Sequence, residues 1–172
     1  MVLENLFYFV GLLALVVGLG AFFGAPYVPS KRKDVRRLFT KYYSLKESDL
    51  VVDLGCGDGV VLAEVDKNGA KALGLEINPV FYVIARLRFI NKLNVNVRLV
   101  NAWNVPFPDE TTVVYIFSVN KDAKRLERKM QKEANRLKKP LNLLCYGNPL
   151  PGRQPQGRFE AYSQYRFVPL QP

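Results

Sequence analysis

The chain has 172 residues, which is enough for one compact domain of ordinary size and too few for two well-packed ones. It carries 25 Lys and Arg against 15 Asp and Glu, a net charge of +10, which favours contact with phosphate or anionic lipid, although solubility alone explains it equally well. Histidine is absent, so Cys/His zinc sites and Ser-His or Cys-His nucleophilic pairs are excluded. The two cysteines, Cys56 and Cys145, lie far apart and fit a reducing compartment.

The N-terminal segment is strongly apolar. Residues 6–23, LFYFVGLLALVVGLGAFF, are eighteen residues without a charge. At about 1.5 Å per residue, a helix of this length nearly crosses a hydrocarbon layer of about 30 Å. We therefore predict a transmembrane anchor over residues 1–25. A cleaved signal peptide and a buried core helix are the alternatives.

A basic segment follows the apolar one, over residues 26–43. Its cluster SKRKDVRR contains five basic residues against the single acid Asp34. The positive-inside rule then predicts a single-pass membrane protein whose C-terminal domain lies on the cytoplasmic side, or on the equivalent matrix side of a mitochondrial membrane. The same cluster is suited to bind anionic lipid headgroups.

Residues 44–172 alternate between strand-like and helix-like patterns, which predicts an α/β fold with a mostly parallel sheet. The residues 159–170 resemble two short aromatic strands, so we expect an antiparallel hairpin at the C-terminal edge of the sheet. The other predicted strands are 49–55, 70–77, 95–102, 111–119 and 141–147. The predicted helices are 59–69, 79–93 and 121–139.

The long helix at 121–139 has an apolar stripe for the sheet and a basic opposite face. That basic face is explained either by solvation or by contact with a membrane or nucleic acid. Aromatic residues are not interleaved with the basic ones, so stacking on single strands is not indicated and we predict no nucleic-acid partner.

The stretch VVDLGCGDG, residues 51–59, is typical of a nucleotide-binding turn. Its glycines, Gly55, Gly57 and Gly59, have the spacing GxGxG, whereas the dinucleotide fingerprint GxGxxG requires glycine at the position of Val60. A phosphate loop of the Gly-Lys-Ser/Thr type is also absent from the sequence.

Polar residues at the ends of three successive strands indicate what the ligand is. Asp53 ends the first strand, where its carboxylate would repel a diphosphate and attract an ammonium or sulfonium group. Glu76 ends the second strand and is suited to accept hydrogen bonds from ribose hydroxyls. Asn101 ends the third within reach of an adenine edge, and Trp103 either covers that ring or packs in the core. The pattern predicts a nucleoside ligand that carries positive charge.

The segments VVDLGCGDG, GLEINP and NAWN resemble the motifs of class I S-adenosylmethionine-dependent methyltransferases. The resemblance implies a Rossmann-like sheet that binds S-adenosyl-L-methionine. It places the glycine loop against the methionine part, Asp53 near its amino group, Glu76 on the ribose and Asn101 facing adenine. The implied cofactor-binding residues are Asp53, Gly55, Cys56, Gly57, Asp58, Gly59, Glu76, Ile77, Asn101, Ala102 and Trp103.

The segment GAPYVPS after the apolar helix, together with LEINP and AWN, is similar to the membrane-anchored lysine methyltransferases, a family that includes the mitochondrial enzymes modifying the ATP synthase c-subunit and the adenine nucleotide translocase. The resemblance implies N-methylation of a lysine in a membrane protein. Candidates on the substrate side are Pro29, Ser30, Phe117 and Ser118, with Asn120 orienting the acceptor.

Two other functions remain open from the sequence. The first is methylation of a lipid or of a hydrophobic small molecule such as a quinone precursor. The second is a non-catalytic cofactor-binding or assembly role, against which the intact Asp53, Glu76 and glycine loop argue.

Overall fold

The computed structural model describes residues 3–11, 30–118 and 120–170. Residues 3–11 are helical and are labelled α1. The other helices are α2 (Arg32–Arg37), α3 (Val60–Lys67), α4 (Pro79–Arg88) and α5 (Ala123–Leu137). The strands are β1 (Leu50–Leu54), β2 (Lys71–Glu76), β3 (Val95–Leu99), β4 (Thr111–Ser118), β5 (Leu141–Gly147), β6 (Gly157–Phe159) and β7 (Tyr162–Phe167).

The described strands form one sheet in the order β3-β2-β1-β4-β5-β7-β6. The strands β1 to β5 are mutually parallel, because each is followed by a helix or a long loop that returns the chain across the sheet. β7 runs antiparallel to both β5 and β6. This confirms the predicted Rossmann-like sheet with an antiparallel C-terminal hairpin.

The two faces of the sheet carry separate hydrophobic clusters. Alternate side chains of each strand point to opposite faces, so Val51 belongs to one cluster and Val52 to the other. The first face packs against α2, α3 and α4. The second packs against α5 through the predicted apolar stripe, including Leu126 and Met130. Burial on both faces explains why the central strands are nearly continuous apolar runs.

The basic segment contains a helix that the sequence analysis did not predict. Val35 and Leu38 are fully buried in the first cluster, although basic residues surround them in sequence. After α2, residues Leu38–Tyr42 form a π-helical turn in which the Tyr43 N–H donates to the Leu38 carbonyl at 2.8 Å. Residues 32–42 are therefore packed on the sheet.

Two predicted elements end earlier than expected. α4 ends at Arg88 instead of residue 93, because Phe89 turns inward into the first cluster and the chain reverses towards β3. β3 ends at Leu99 instead of residue 102, where the Val100 N–H donates to the Glu76 carbonyl and the chain leaves the sheet.

Of the predicted transmembrane anchor, residues 1–25, the structure describes residues 3–11, and residues 12–25 lie outside the described residues. Within the ranges that are described, no helix is both long enough and apolar enough to cross a bilayer.

Candidate active site

The glycine loop lies between β1 and α3 at the carboxyl end of the sheet. Gly55, Gly57 and Gly59 all have positive φ, +83°, +54° and +83°, which L-residues with side chains rarely adopt. The loop is tied to the neighbouring strand because the Gly55 N–H donates to the Leu75 carbonyl at 2.8 Å. Gly59 then caps the N-terminus of α3.

Close packing requires the small residues around this loop. A Cβ atom on Gly59 would lie 2.5 Å from Phe89 Cε2, and one on Gly74 would lie 2.5 Å from Cys56 Sγ. Cys56 thus fills the space above Gly74, and burial raises the pKa of its thiol. Cys56 is a packing residue rather than a nucleophile. In contrast, a Cβ atom added to Gly55 would lie in open space.

Glu76 organises the site through three backbone N–H groups. Its Oε2 accepts from Gly57 at 2.8 Å, and its Oε1 accepts from Ile77 at 2.9 Å and Asn78 at 2.7 Å. The side chain is only 6% exposed. One carboxylate therefore fixes both the glycine loop and the start of α4. A carboxylate has about four acceptor positions, so one remains on Oε2 for a ligand hydroxyl.

Asp53 is buried at the same edge, with 3% of its surface exposed. Its carboxylate accepts no hydrogen bond from any residue that the structure describes. Burial, and secondarily the charge of Glu76, raise its pKa well above the ordinary value. A buried carboxylate that accepts no hydrogen bond within the described ranges, beside a second carboxylate, fits a cationic ligand such as the ammonium and sulfonium groups of S-adenosylmethionine.

The other predicted cofactor residues surround this pair. Asp58 forms an ion pair with Arg88 of α4 at 3.0 Å, which holds the loop against that helix.

The Asn101 side-chain oxygen accepts from the Trp103 N–H at 3.0 Å and shapes the turn after β3. The Trp103 ring packs against the second cluster beneath Arg125, whose guanidinium carbon lies 4.7 Å from the ring centre. Its stacking on adenine stays a prediction. Ile77 is partly exposed at the end of β2, and Ala102 is partly buried.

A cluster of aromatic side chains lies beside Asp53. In the sheet register Tyr115 is the direct neighbour of Asp53, and its side chain belongs to the same face. The ring centres of Tyr115 and Tyr162 are 6.3 Å apart, those of Tyr162 and Tyr146 4.8 Å, and those of Tyr146 and Phe117 5.2 Å. We call these four residues the aromatic cluster.

The segment around α2 completes this cluster. Ser30 Oγ lies 3.1 Å from the Tyr115 hydroxyl, and the Tyr146 hydroxyl donates to Asp34 Oδ2 at 3.4 Å. Burial raises the pKa of Tyr115 and Tyr162, so both hydroxyls stay protonated near neutral pH. The Tyr162 hydroxyl is buried without a hydrogen-bond partner among the described residues.

The structure thus brings together two of the predicted substrate-side residues, Ser30 and Phe117. Pro29 and the side chains of Ser118 and Asn120 lie outside what is described. The sequence analysis missed Tyr115, Tyr162 and Asp34. The alternation along β4 places Tyr115 and Phe117 on one face and could have indicated Tyr115, whereas no local pattern links Asp34 or Tyr162 to this site.

Comparison with known proteins agrees with this geometry. Residues 51–140, just over half of the chain, match the family model described as "Methyltransferase domain". A protein-lysine N-methyltransferase of Saccharolobus islandicus (strain REY15A) is 37% identical over 114 residues, which cover 63% of this chain and 69% of that protein. A lysine N-methyltransferase of the ATP synthase c-subunit from Xenopus laevis is 32% identical over 111 residues, and the chain spans about half of its length, 48%.

A solved structure has the same fold. The crystal structure of an RNA methyltransferase from Salinibacter ruber in complex with S-adenosyl-L-homocysteine superposes with a TM-score of 0.71. The match covers 84% of this chain and 96% of that one at 21% identity. It therefore supports the fold and gives no information about the methyl acceptor. Because the family model matches the strands and the loop that carry Asp53 and Glu76, the chain belongs to the S-adenosylmethionine-dependent methyltransferases.

Proposed function

We propose that the enzyme transfers a methyl group from S-adenosylmethionine to the side-chain amine of a lysine in a membrane protein, and that its N-terminal segment anchors it in that membrane. The observation that carries the proposal is the aromatic cluster beside Asp53, with Asp34 at its outer side. Two similar proteins described as lysine N-methyltransferases support the choice of acceptor.

The aromatic cluster suits the chemistry of a lysine side chain. Aromatic faces bind both an apolar stem and a cationic head group. Tyr146 and Phe117 are partly exposed, whereas Tyr115 and Tyr162 are buried behind them. The partly buried Asp34 is placed to attract an incoming ammonium group. A lysine side chain could therefore enter past the exposed rings, pack its stem against the buried ones and place its ammonium group near Asp34.

The residues of the site have to position a neutral amine and exclude water. Bound S-adenosylmethionine supplies an electrophilic methyl group on a sulfonium whose departure needs no proton. Asp53 would attract the positive charge of the cofactor, and Glu76 would accept a hydrogen bond from its ribose. Burial among Tyr115, Tyr146 and Phe117 disfavours the charged form of a lysine and promotes loss of its proton. The buried tyrosines stay protonated, so Asp34, next to the aromatic cluster, is the side chain suited to receive that proton.

The membrane part of the proposal rests on the predicted anchor and on the position of α2. Lys31, Arg32, Lys33 and Arg36 are exposed on the helix that carries Asp34. An anchor ending just before α2 would hold the entrance close to a bilayer, with the domain on the cytoplasmic or matrix-equivalent side. A topology reporter fused after Pro172 tests this orientation, and an extracytoplasmic signal would contradict it.

The acceptor is tested with S-adenosylmethionine carrying a labelled methyl group, added to membranes from the host with the purified full chain. We expect label in the protein fraction, on lysine after hydrolysis. Label in the lipid fraction would instead establish the lipid or small-molecule alternative. Label in neither fraction, with cofactor binding intact by calorimetry, would indicate a non-catalytic protein.

Matched variants connect the result to the site. Asp34→Asn should lower methyl transfer at least tenfold while cofactor affinity stays unchanged, because Asp34 lies on the acceptor side; the loss of a positioned proton acceptor commonly costs about 10²–10⁴ in rate. Asp109→Asn is the control, since that carboxylate is 85% exposed and pairs with Arg136 on α5. Equal activity of both variants would remove Asp34 from the mechanism.

A further inference from the structure

The outer face of α4 is apolar and exposed. Val83, Ile84 and Leu87 follow one another along this side of the helix, and Ile90 and Leu93 extend the row into the following turn. Leu87 is 65% exposed and Ile90 is 71% exposed. We call these five residues the α4 face. The opposite side of the helix supplies the core, so the α4 face is not needed to hold the fold. A contiguous exposed row of this size marks an interaction surface.

The charges around the α4 face have one sign. Residues 77–99 contain four basic side chains and no acidic one. Two of them, Arg88 and Lys92, pair with Asp58 and Asp66 of neighbouring segments. Of the other two, Arg86 lies on α4, is exposed and forms no ion pair with a residue that the structure describes. Arg98 is also exposed, but it follows Val97 of the first cluster along β3 and therefore points to the opposite face of the sheet.

The α4 face also lies on the same side of the sheet as α2. Val35 of α2 and Ala85 of α4 belong to the same hydrophobic cluster, whereas α5 packs on the other side. The helix α2, with its exposed basic residues, is therefore on the same side of the sheet as α4.

We propose that the α4 face docks on the surface of an anionic lipid bilayer, with its apolar row at the boundary between headgroups and acyl chains and Arg86 on the phosphates. Apolar residues flanked by basic ones are typical of helices that lie in a membrane interface. A second copy of the chain fits less well, because a symmetric contact would bring the basic residues of two copies together without an acidic residue from this segment. Since α4 begins three residues after Glu76, docking would also place the cofactor site near the membrane surface.

A fluorescent probe on the full chain tests the docking. Leu87→Cys is labelled with a nitrobenzoxadiazole maleimide, since Cys56 and Cys145 are buried. Lys132→Cys is the matched control, an exposed position on α5 on the opposite side of the sheet. Each protein is reconstituted with vesicles of phosphatidylcholine alone or of equal parts phosphatidylcholine and phosphatidylglycerol, with and without doxyl-labelled lipid as a quencher.

We expect a shift to shorter wavelength and doxyl quenching for the probe on α4 in the anionic vesicles, and neither for the control. Adding Arg86→Gln should reduce the equilibrium constant for docking about fivefold. Equal signals from the two probe positions, or equal signals in neutral and anionic vesicles, would overturn the proposal. A shift without lipid that grows with protein concentration would overturn it in favour of a second copy. None of these readouts depends on methyl transfer, so the proposed function is tested separately.

Discussion

Replacing Glu76 with glutamine should destabilise the protein even without cofactor. The carboxylate satisfies three backbone N–H groups at a position that is 6% exposed. A glutamine can keep its oxygen on Ile77 and Asn78, but its NH₂ group then faces the N–H of Gly57. One buried donor loses its acceptor, which costs about 1–3 kcal/mol. For a domain of this size, that corresponds to a drop in Tm of about 2–12 °C.

Removing the charge of Glu76 also has a stabilising effect, because that charge repels the carboxylate of Asp53. Together with burial, which is the larger cause, this repulsion raises the pKa of Asp53. Glu76→Gln is therefore measured both alone and in the Asp53→Asn background, where this repulsion is already absent. The free energy of unfolding is obtained from urea titrations of the cofactor-free chain. We expect the full loss of about 1–3 kcal/mol in the Asp53→Asn background and a smaller one in the wild type.

Glu64→Gln provides the control for this measurement. Glu64 is also buried, but its carboxylate accepts from the exposed ammonium of Lys67 at 2.7 Å, and within the described ranges it fixes no backbone loop. We expect it to cost less than Glu76→Gln, because the glutamine oxygen can still accept from Lys67 and no buried backbone N–H loses its acceptor. If Glu76→Gln were no more destabilising than Glu64→Gln in either background, Glu76 would not hold the loop. Calorimetry on the same samples then isolates its contribution to cofactor binding.

Three further predictions concern the same region. Gly59→Ala should cost more stability in urea unfolding than Gly152→Ala, because both have positive φ but only the first places a Cβ against Phe89; equal costs would contradict the packing argument. Cofactor affinity should rise as pH increases from about 4 towards the raised native pKa of Asp53, since the ionised form binds a cation, and Asp53→Asn should flatten this profile in calorimetry. The same ionisation should lower cofactor-free stability over that range. Tyr162→Phe should leave the urea midpoint unchanged or raise it, because the hydroxyl it removes is buried without a partner in the described chain.

The fold and the position of the glycine loop were largely predictable because their signals are local. Strands such as LVVDL are contiguous apolar runs, and the glycine loop with Asp53 occupies a few consecutive positions. Glu76 was predicted as a ribose ligand, but its bonds to Gly57 and Asn78 involve backbone groups that no side-chain pattern reports. α2 was missed because basic residues surround the three apolar side chains that residues 32–42 bury, namely Val35, Leu38 and Phe39.

The acceptor side could not be predicted in the same way. Its polar contacts join residues far apart in the chain, such as Ser30 with Tyr115 and Asp34 with Tyr146. A single sequence gives no signal for such pairs, since each residue looks ordinary in its own segment. The parallel register next to Asp53 is what identifies Tyr115 as part of the site.

The electrostatics of Asp53 and Glu76 also decide between classes of nucleotide. Two like charges about 4 Å apart repel by about 4 kcal/mol at an effective dielectric constant of about 20. A diphosphate placed against Asp53 would either meet this repulsion or keep the carboxyl protonated, and in neither case does it gain an attraction. An ammonium or sulfonium at the same distance attracts the ionised carboxylate and opposes the burial and the Glu76 charge that raise the pKa of Asp53. The burial of Asp53 thus costs stability in the cofactor-free chain when the carboxylate is ionised, and it favours a cationic cofactor over a diphosphate.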